Sequence, residues 1–256
     1  MRVSPATCSR RARTSAVLAV GAVASALVTG CSGDVSAEGS DKDGAPARAA
    51  RALSSAELEK LLLATGDVKD YKVTDGDETI RQDMSKLETD KPACDPLARA
   101  STAQPPGATD ADASNGIAQD PAAFKGDLAK EFEEDFSLTI VGLSSYDGDG
   151  AEKAMKAVSG GIKACADGFL LRTAAAHDTK VARIAAVKPS GLGDKSVAFT
   201  LDEDLGGGFV LTSTTEVVRK GNTIATFHTM NSEAYEPGGV SEIPTEIIKA
   251  QVAKLK

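Results

Sequence analysis

Alternation and helical spacing divide the chain into a short series of elements. Ser54-Ser55-Ala56-Glu57 fits a capping box, and Leu58, Leu61 and Leu62 then share one face of a helix that Gly66 can end. Residues 71–74 read as a short strand and Asp75-Gly76-Asp77 as a turn. Residues 92–100 read as a short helix carrying Cys94, and 104–115 as a loop with no core residues. Residues 132–146 are the next strand, where Leu138, Ile140 and Gly142 alternate with Thr139, Val141 and Leu143. Asp149 with Glu152 reads as a second capping box, opening a helix with Met155, Val158, Ile162 and Cys165 on one face.

The remainder is strand-rich. Segments 169–176 and 180–187 are separated by His177-Asp178-Thr179. Segment 196–202 turns Val197, Phe199 and Leu201 inward. Gly206-Gly207-Gly208 leads to 209–219, and Gly221-Asn222 is a hairpin signal leading to 223–230. Pro244 opens a last helix with Ile248, Val252 and Leu255 on its apolar face. Consecutive strands on short turns predict an α+β domain: an antiparallel sheet of about five to six strands with three helices packed on one face.

The start of the chain has a different pattern. Arg2, Arg10, Arg11 and Arg13 precede an apolar run from Ser15 to Val28, the layout of a secretory signal over residues 1–30. The run is short of the roughly 20 residues that span a bilayer. Leu27-Val28-Thr29-Gly30-Cys31 resembles a bacterial lipobox, which implies cleavage before Cys31, diacylglyceryl attachment to its thiol and a membrane anchor. Two acyl chains hold a protein at a membrane where one does so only marginally. The Arg10-Arg11 pair leaves general secretion and twin-arginine export both open. Residues 31–51 are small, polar and charged, and read as the lipidated Cys and a flexible tether. A single domain is expected over 52–256.

Charge and cysteines sharpen this picture. Of 256 residues, 29 are basic and 37 acidic, a net of −8. The four arginines leave with the signal, so 25 basic residues face 37 acidic ones and the net falls to −12. Such a surface argues against nucleic acid as a partner. Cys8 leaves with the signal and Cys31 is lipidated, so Cys94 and Cys165 remain as an even pair in an oxidising compartment. A disulfide between them would close a loop of about 72 residues, worth about 4 kcal/mol in the chain-entropy model.

The chain carries no recognisable catalytic motif. No G-x-S-x-G, S-x-x-K, H-E-x-x-H, phosphate-binding or dinucleotide-binding pattern occurs. The imidazoles are His177, at a turn, and His228, on a strand beside Ile224 and Thr226, and neither has a Ser or Cys partner at a known spacing. Asp147-Gly148-Asp149-Gly150 lacks the later ligands of a calcium loop. Glu133-Glu134-Asp135 and Asp202-Glu203-Asp204 read as solvated loop ends. With no Trp and three Tyr, sugar platforms are scarce. No metal and no cofactor is expected.

Several short runs recur in a familiar order: Leu53-Ser54-Ser55-Ala56-Glu57-Leu58, Lys91-Pro92-Ala93-Cys94-Asp95-Pro96-Leu97, Cys165, Gly193-Asp194-Lys195-Ser196, Val217-Val218-Arg219-Lys220-Gly221-Asn222 and Gln251-Val252-Ala253-Lys254-Leu255. Together they resemble actinobacterial lipoproteins carrying the PknH-like extracellular sensor domain, over about residues 52–256. The resemblance implies a disulfide-stabilised α+β domain with an open groove, and binding or sensing instead of catalysis. The chain departs from the kinase ectodomains in having fewer cysteines and no attached kinase. The expected function is a membrane-anchored, outward-facing, non-catalytic lipoprotein that binds a small or lipidic ligand or senses an envelope signal. The alternative is a scaffold that docks an envelope protein and takes no small ligand. Side-chain size points to 169–176 and 209–215 as walls of a pocket.

Overall fold

The computed structural model describes residues 51–74, 86–123, 137–173, 178–235 and 238–255, all within one compact unit, Ala47–Lys256. The signal at 1–30, Cys31 with its tether, the turn at 75–77, the start of the strand expected at 132–146, Glu133-Glu134-Asp135 and His177 lie outside the described residues.

The strands are β1 Tyr71–Thr74, β2 Glu88–Thr89, β3 Asp112–Gln119, β4 Ser137–Ser145, β5 Phe169–Arg172, β6 Thr179–Val187, β7 Lys195–Gly206, β8 Phe209–Lys220 and β9 Thr223–Asn231. They form one nine-stranded sheet in the order β1-β3-β4-β9-β8-β7-β6-β5-β2, and every adjacent pair is antiparallel. The helices are α1 Ser55–Glu59, α2 Asp95–Ala100, α3 Gly150–Ala164 and α4 Thr245–Lys254.

This corrects the expectation of five to six strands with three helices on one face. The helices divide between both faces. On one face, Leu97 and Ala98 of α2 and Ala154, Met155 and Val158 of α3 pack on Phe199, Leu201, Val217 and Ile224. On the other, Leu58 of α1 and Ile247 and Ile248 of α4 pack on Val141, Leu143, Val218, Ala225 and Phe227. Adjacent residues of a strand point to opposite faces, so Val217 and Val218 sit in different cores, each fully buried. The alternation in β7 suggested one inward face because its other face carries Ala198 and Thr200, too small and polar to read as core.

β3 accounts for much of the missing strand count. Its sequence, DASNGIAQ, has little β propensity, and its first half fell within the loop expected at 104–115. Pairing decides the matter. β1 and β4 flank it on both sides, Ala113 is buried, and the Asn115 amide donates to the Leu63 carbonyl oxygen at 2.8 Å. Gly142, next to β3 on β4, is required by close approach: a Cβ there would collide with the Ala103 carbonyl oxygen.

Helix ends follow local chemistry in part. The Ser54–Glu57 capping box forms, although α1 ends at Glu59, short of Leu61 and Leu62. The second expected box does not form, because the Asp149 carboxylate pairs with Lys153 at 2.8 Å. Pro244 caps α4 from outside the helix, and its buried face is Ile247, Ile248 and Gln251. The fully buried Gln251 amide donates to the Leu61 carbonyl oxygen and accepts from the Leu63 N–H, fixing the chain after α1 against α4. Cys94 and Cys165 are joined by a disulfide with Cα atoms 5.9 Å apart, buried among α2 and α3.

Candidate binding cleft

The outer half of β7 and β8, on the face that carries α4, is not fully covered. The chain returning through 240–245 into α4 forms one lip there, and residues 187–190 after β6 form the other. Between them lies a cleft of about 370 Å³, floored by Ala198, Thr200, Thr214 and Glu216. That volume is at the small end of the range for ligand sites.

Glu216 is the unusual residue. It is 4% exposed, in the same row of the sheet as Ala198 and Phe227. One of its oxygens, Oε1, accepts from both the Ser190 N–H, at 3.0 Å, and the Ser190 hydroxyl. Oε2 accepts only a longer bond from the same N–H, at 3.2 Å. Burial pushes the carboxyl above the usual range, and the Ser190 bonds pull partly against that. The contacts tie the 188–193 loop to the sheet, and Gly191 N–H to the Ser196 hydroxyl adds a second tie at 3.2 Å. Thr200 is 8% exposed, and its hydroxyl has no partner among the described residues. Two residues along the same strand face, Arg183 and Thr212 both donate to the buried Asp202, at 2.7 and 2.9 Å. Asp202 is therefore a strand residue with partners, and the expectation of a solvated loop end is corrected there.

The other residues singled out in the sequence lie elsewhere. His228 pairs across the sheet with Thr215 and Ile140, on the face opposite Glu216, and its Nδ1 lies 3.0 Å from the Thr215 hydroxyl. Burial pushes its pKa down to about 4, so it is neutral at pH 7. The segments expected as pocket walls divide. Phe169 and Leu171 are core, while Phe209 and Val210 are 62% and 47% exposed at the β7–β8 hairpin tip. Among the described residues of the two segments, only Thr214, from the second, reaches the cleft. A wider depression of about 510 Å³ lies between α2 and the 104–109 loop, lined by Arg99, Gln104 and Pro105 among others. Among the described residues, no three His, Cys, Asp or Glu side chains are placed to hold a metal ion. No described helix is long and apolar enough to cross a membrane.

Sequence reasoning included Thr214 within the expected wall 209–215 but passed over Glu216 and Thr200. A signal was present: Glu216 is a lone acid inside the run Thr214-Thr215-Glu216-Val217-Val218, where period two gives it the same face as the apolar Val218.

No family model matches the chain, and no curated protein matches it. Among solved structures, it is similar to the extracellular domain of PknH from Mycobacterium tuberculosis, at 15% identity over 80% of this chain and 95% of that one, with a TM-score of 0.47. A likeness at that level says nothing of a ligand or an activity.

Proposed function

We propose that this protein is a lipid-anchored, outward-facing binding domain that holds a small ligand in the cleft over β7 and β8. The observation that carries the reading is the cleft floor. A buried carboxylate and a threonine hydroxyl that makes no bond among the described residues and stays open to the cleft line a space of about 370 Å³. The open Thr200 hydroxyl can both donate and accept, which supports a polar group of a ligand seated beside Glu216. The catalytic alternatives draw no support from the cleft, because His228 faces away from it. The signal layout and the lipobox-like Leu27–Cys31 run support export and anchoring, and a buried disulfide suits an oxidising compartment.

Native mass spectrometry of the full chain carrying Cys31→Ala, gently purified from an actinobacterial host, tests both parts. A co-purifying small mass that is lost with Thr200→Val supports the cleft. Release of the protein from the membrane fraction supports the anchor. An apo mass together with retention at the membrane contradicts the proposal.

One observation favours a second reading, docking to an envelope protein. Leu205, Phe209 and Val210, 54%, 62% and 47% exposed, surround Gly206-Gly207-Gly208 at one hairpin tip. Exposed apolar clusters of this kind mark contact surfaces. Docking through that tip would be insensitive to salt, unlike docking through acidic residues. Loss of a crosslinked partner with Phe209→Ser and retention of the small mass would assign the two features to different tasks.

A further inference from the structure

We infer that the cleft over β7 and β8 selects a small organic ammonium carrying one short apolar arm. The inference rests on the binding reading above and names its ligand class. Three features of the cleft point the same way.

The first is charge. Lys188 and Glu242 both line the cleft from exposed positions at its rim, one of each sign, so they offset each other. The net charge inside is the single buried carboxylate of Glu216. α4 begins at this cleft, and a helix start favours anions. Its first turn, however, already carries Glu246, which answers that positive end.

The second is unused acceptor capacity. Glu216 Oε1 takes two donors from Ser190, whereas Oε2 takes only the longer bond. An ionised carboxylate has about four lone-pair sites, so Oε2 has room for a donor from the cleft. The Thr200 hydroxyl, open to the cleft and without a partner among the described residues, supplies a second acceptor in the same floor. An ammonium brings three donors and no acceptor, which suits a floor of acceptors. A carboxylate ligand would set its own charge against Glu216.

The third is the wall. Val187, Ala198, Ile243 and Ile248 give the cleft an apolar side with no aromatic ring. An alkyl arm fits that wall. A quaternary ammonium would want an aromatic cage, so a primary amine fits better. Burial raises the Glu216 pKa in the free protein. A bound cation favours the ionised carboxylate, so binding should tighten as pH rises through that pKa.

The test uses the full-length chain with labelled threonine methyl groups and three probes of equal length: hexylamine, hexanoate and hexanol. NMR titration at pH 7 reads the Thr200 and Thr214 signals. The expected result is saturable shifts with hexylamine at an affinity at least tenfold above that for hexanoate or hexanol. Thr200→Val should weaken hexylamine binding several-fold, and Glu216→Gln should abolish the preference for it. Because Glu216 also holds the 188–193 loop, the probe ranking on the unaltered protein stands as the primary readout. Hexanoate or hexanol shifting the same signals as tightly as hexylamine overturns the ammonium inference and leaves a binding cleft. Silence of Thr200 and Thr214 with all three probes overturns the inference and counts against the cleft reading as well.

Discussion

Glu216 concentrates the residue-scale account, because one side chain carries the charge of the cleft and ties down its lip. Its pKa is raised in the folded state from an unfolded value near 4.5. The folded protein therefore holds this proton more tightly than the unfolded chain. The sign follows from linkage: the contribution of Glu216 to stability is present at low pH and is lost as pH rises from about 4.5 through the folded value. Glu216→Gln should remove that slope from a denaturation series between pH 4 and 8. The Ser190 bonds lower the same pKa, so Ser190→Ala should raise it further and cost about 1 kcal/mol for the lost hydroxyl bond. A carbon-detected titration of the Glu216 carboxyl reads the first effect. A fall in pKa in that variant would show that Ser190 is not its partner. At this scale little of the site is legible in the sequence. A lone acid in a β run becomes conspicuous only once both faces of its strand are known to be covered.

Elements were legible where local chemistry governs them. Strands expected at 209–219 and 223–230 are β8 Phe209–Lys220 and β9 Thr223–Asn231, because a Gly-Asn turn and β-branched runs specify a hairpin without outside help. Gly221 takes φ +59° at that turn, where glycine is unstrained. β3 is the opposite case. Nothing in DASNGIAQ demands a strand, and its pairing with β1 and β4 is a tertiary effect. Gly142 on β4 is likewise a tertiary requirement, set by the turn after α2 and by β9. The Ala103 carbonyl and the Thr226 hydroxyl approach too closely for any side chain there. Gly142→Ala should destabilise the fold by about 3 kcal/mol, as overpacking of a rigid backbone contact does. Chemical denaturation measures this, and a loss below about 1 kcal/mol would mean that the 101–104 turn can move away.

At the scale of the whole molecule, covering both faces of the sheet is what leaves the cleft. α2 and α3 pack on one face, while α1 and α4 on the other leave β7 and β8 partly bare. The sequence could not settle this division. The helices are amphipathic in either arrangement, and small residues such as Ala198 and Thr200 disguise the second inward face. The disulfide anchors the side that carries α2 and α3. It joins residues 71 apart in the chain, so reduction should cost about 4 kcal/mol and lower Tm by roughly 10 °C. A thermal melt with and without reductant reads this directly, and an unchanged Tm would deny the crosslink any role in stability.

The central claim is that the cleft over β7 and β8 holds a small ligand. A crystal structure of the protein, purified from an actinobacterial host without added small molecules, tests it most directly. The account predicts non-protein density between Ser190, Thr200, Thr214 and Glu216, with a donor atom within hydrogen-bond distance of Glu216 Oε2. A cleft closed by its own side chains, with Thr200 bonded to protein and Glu216 fully saturated, would contradict it.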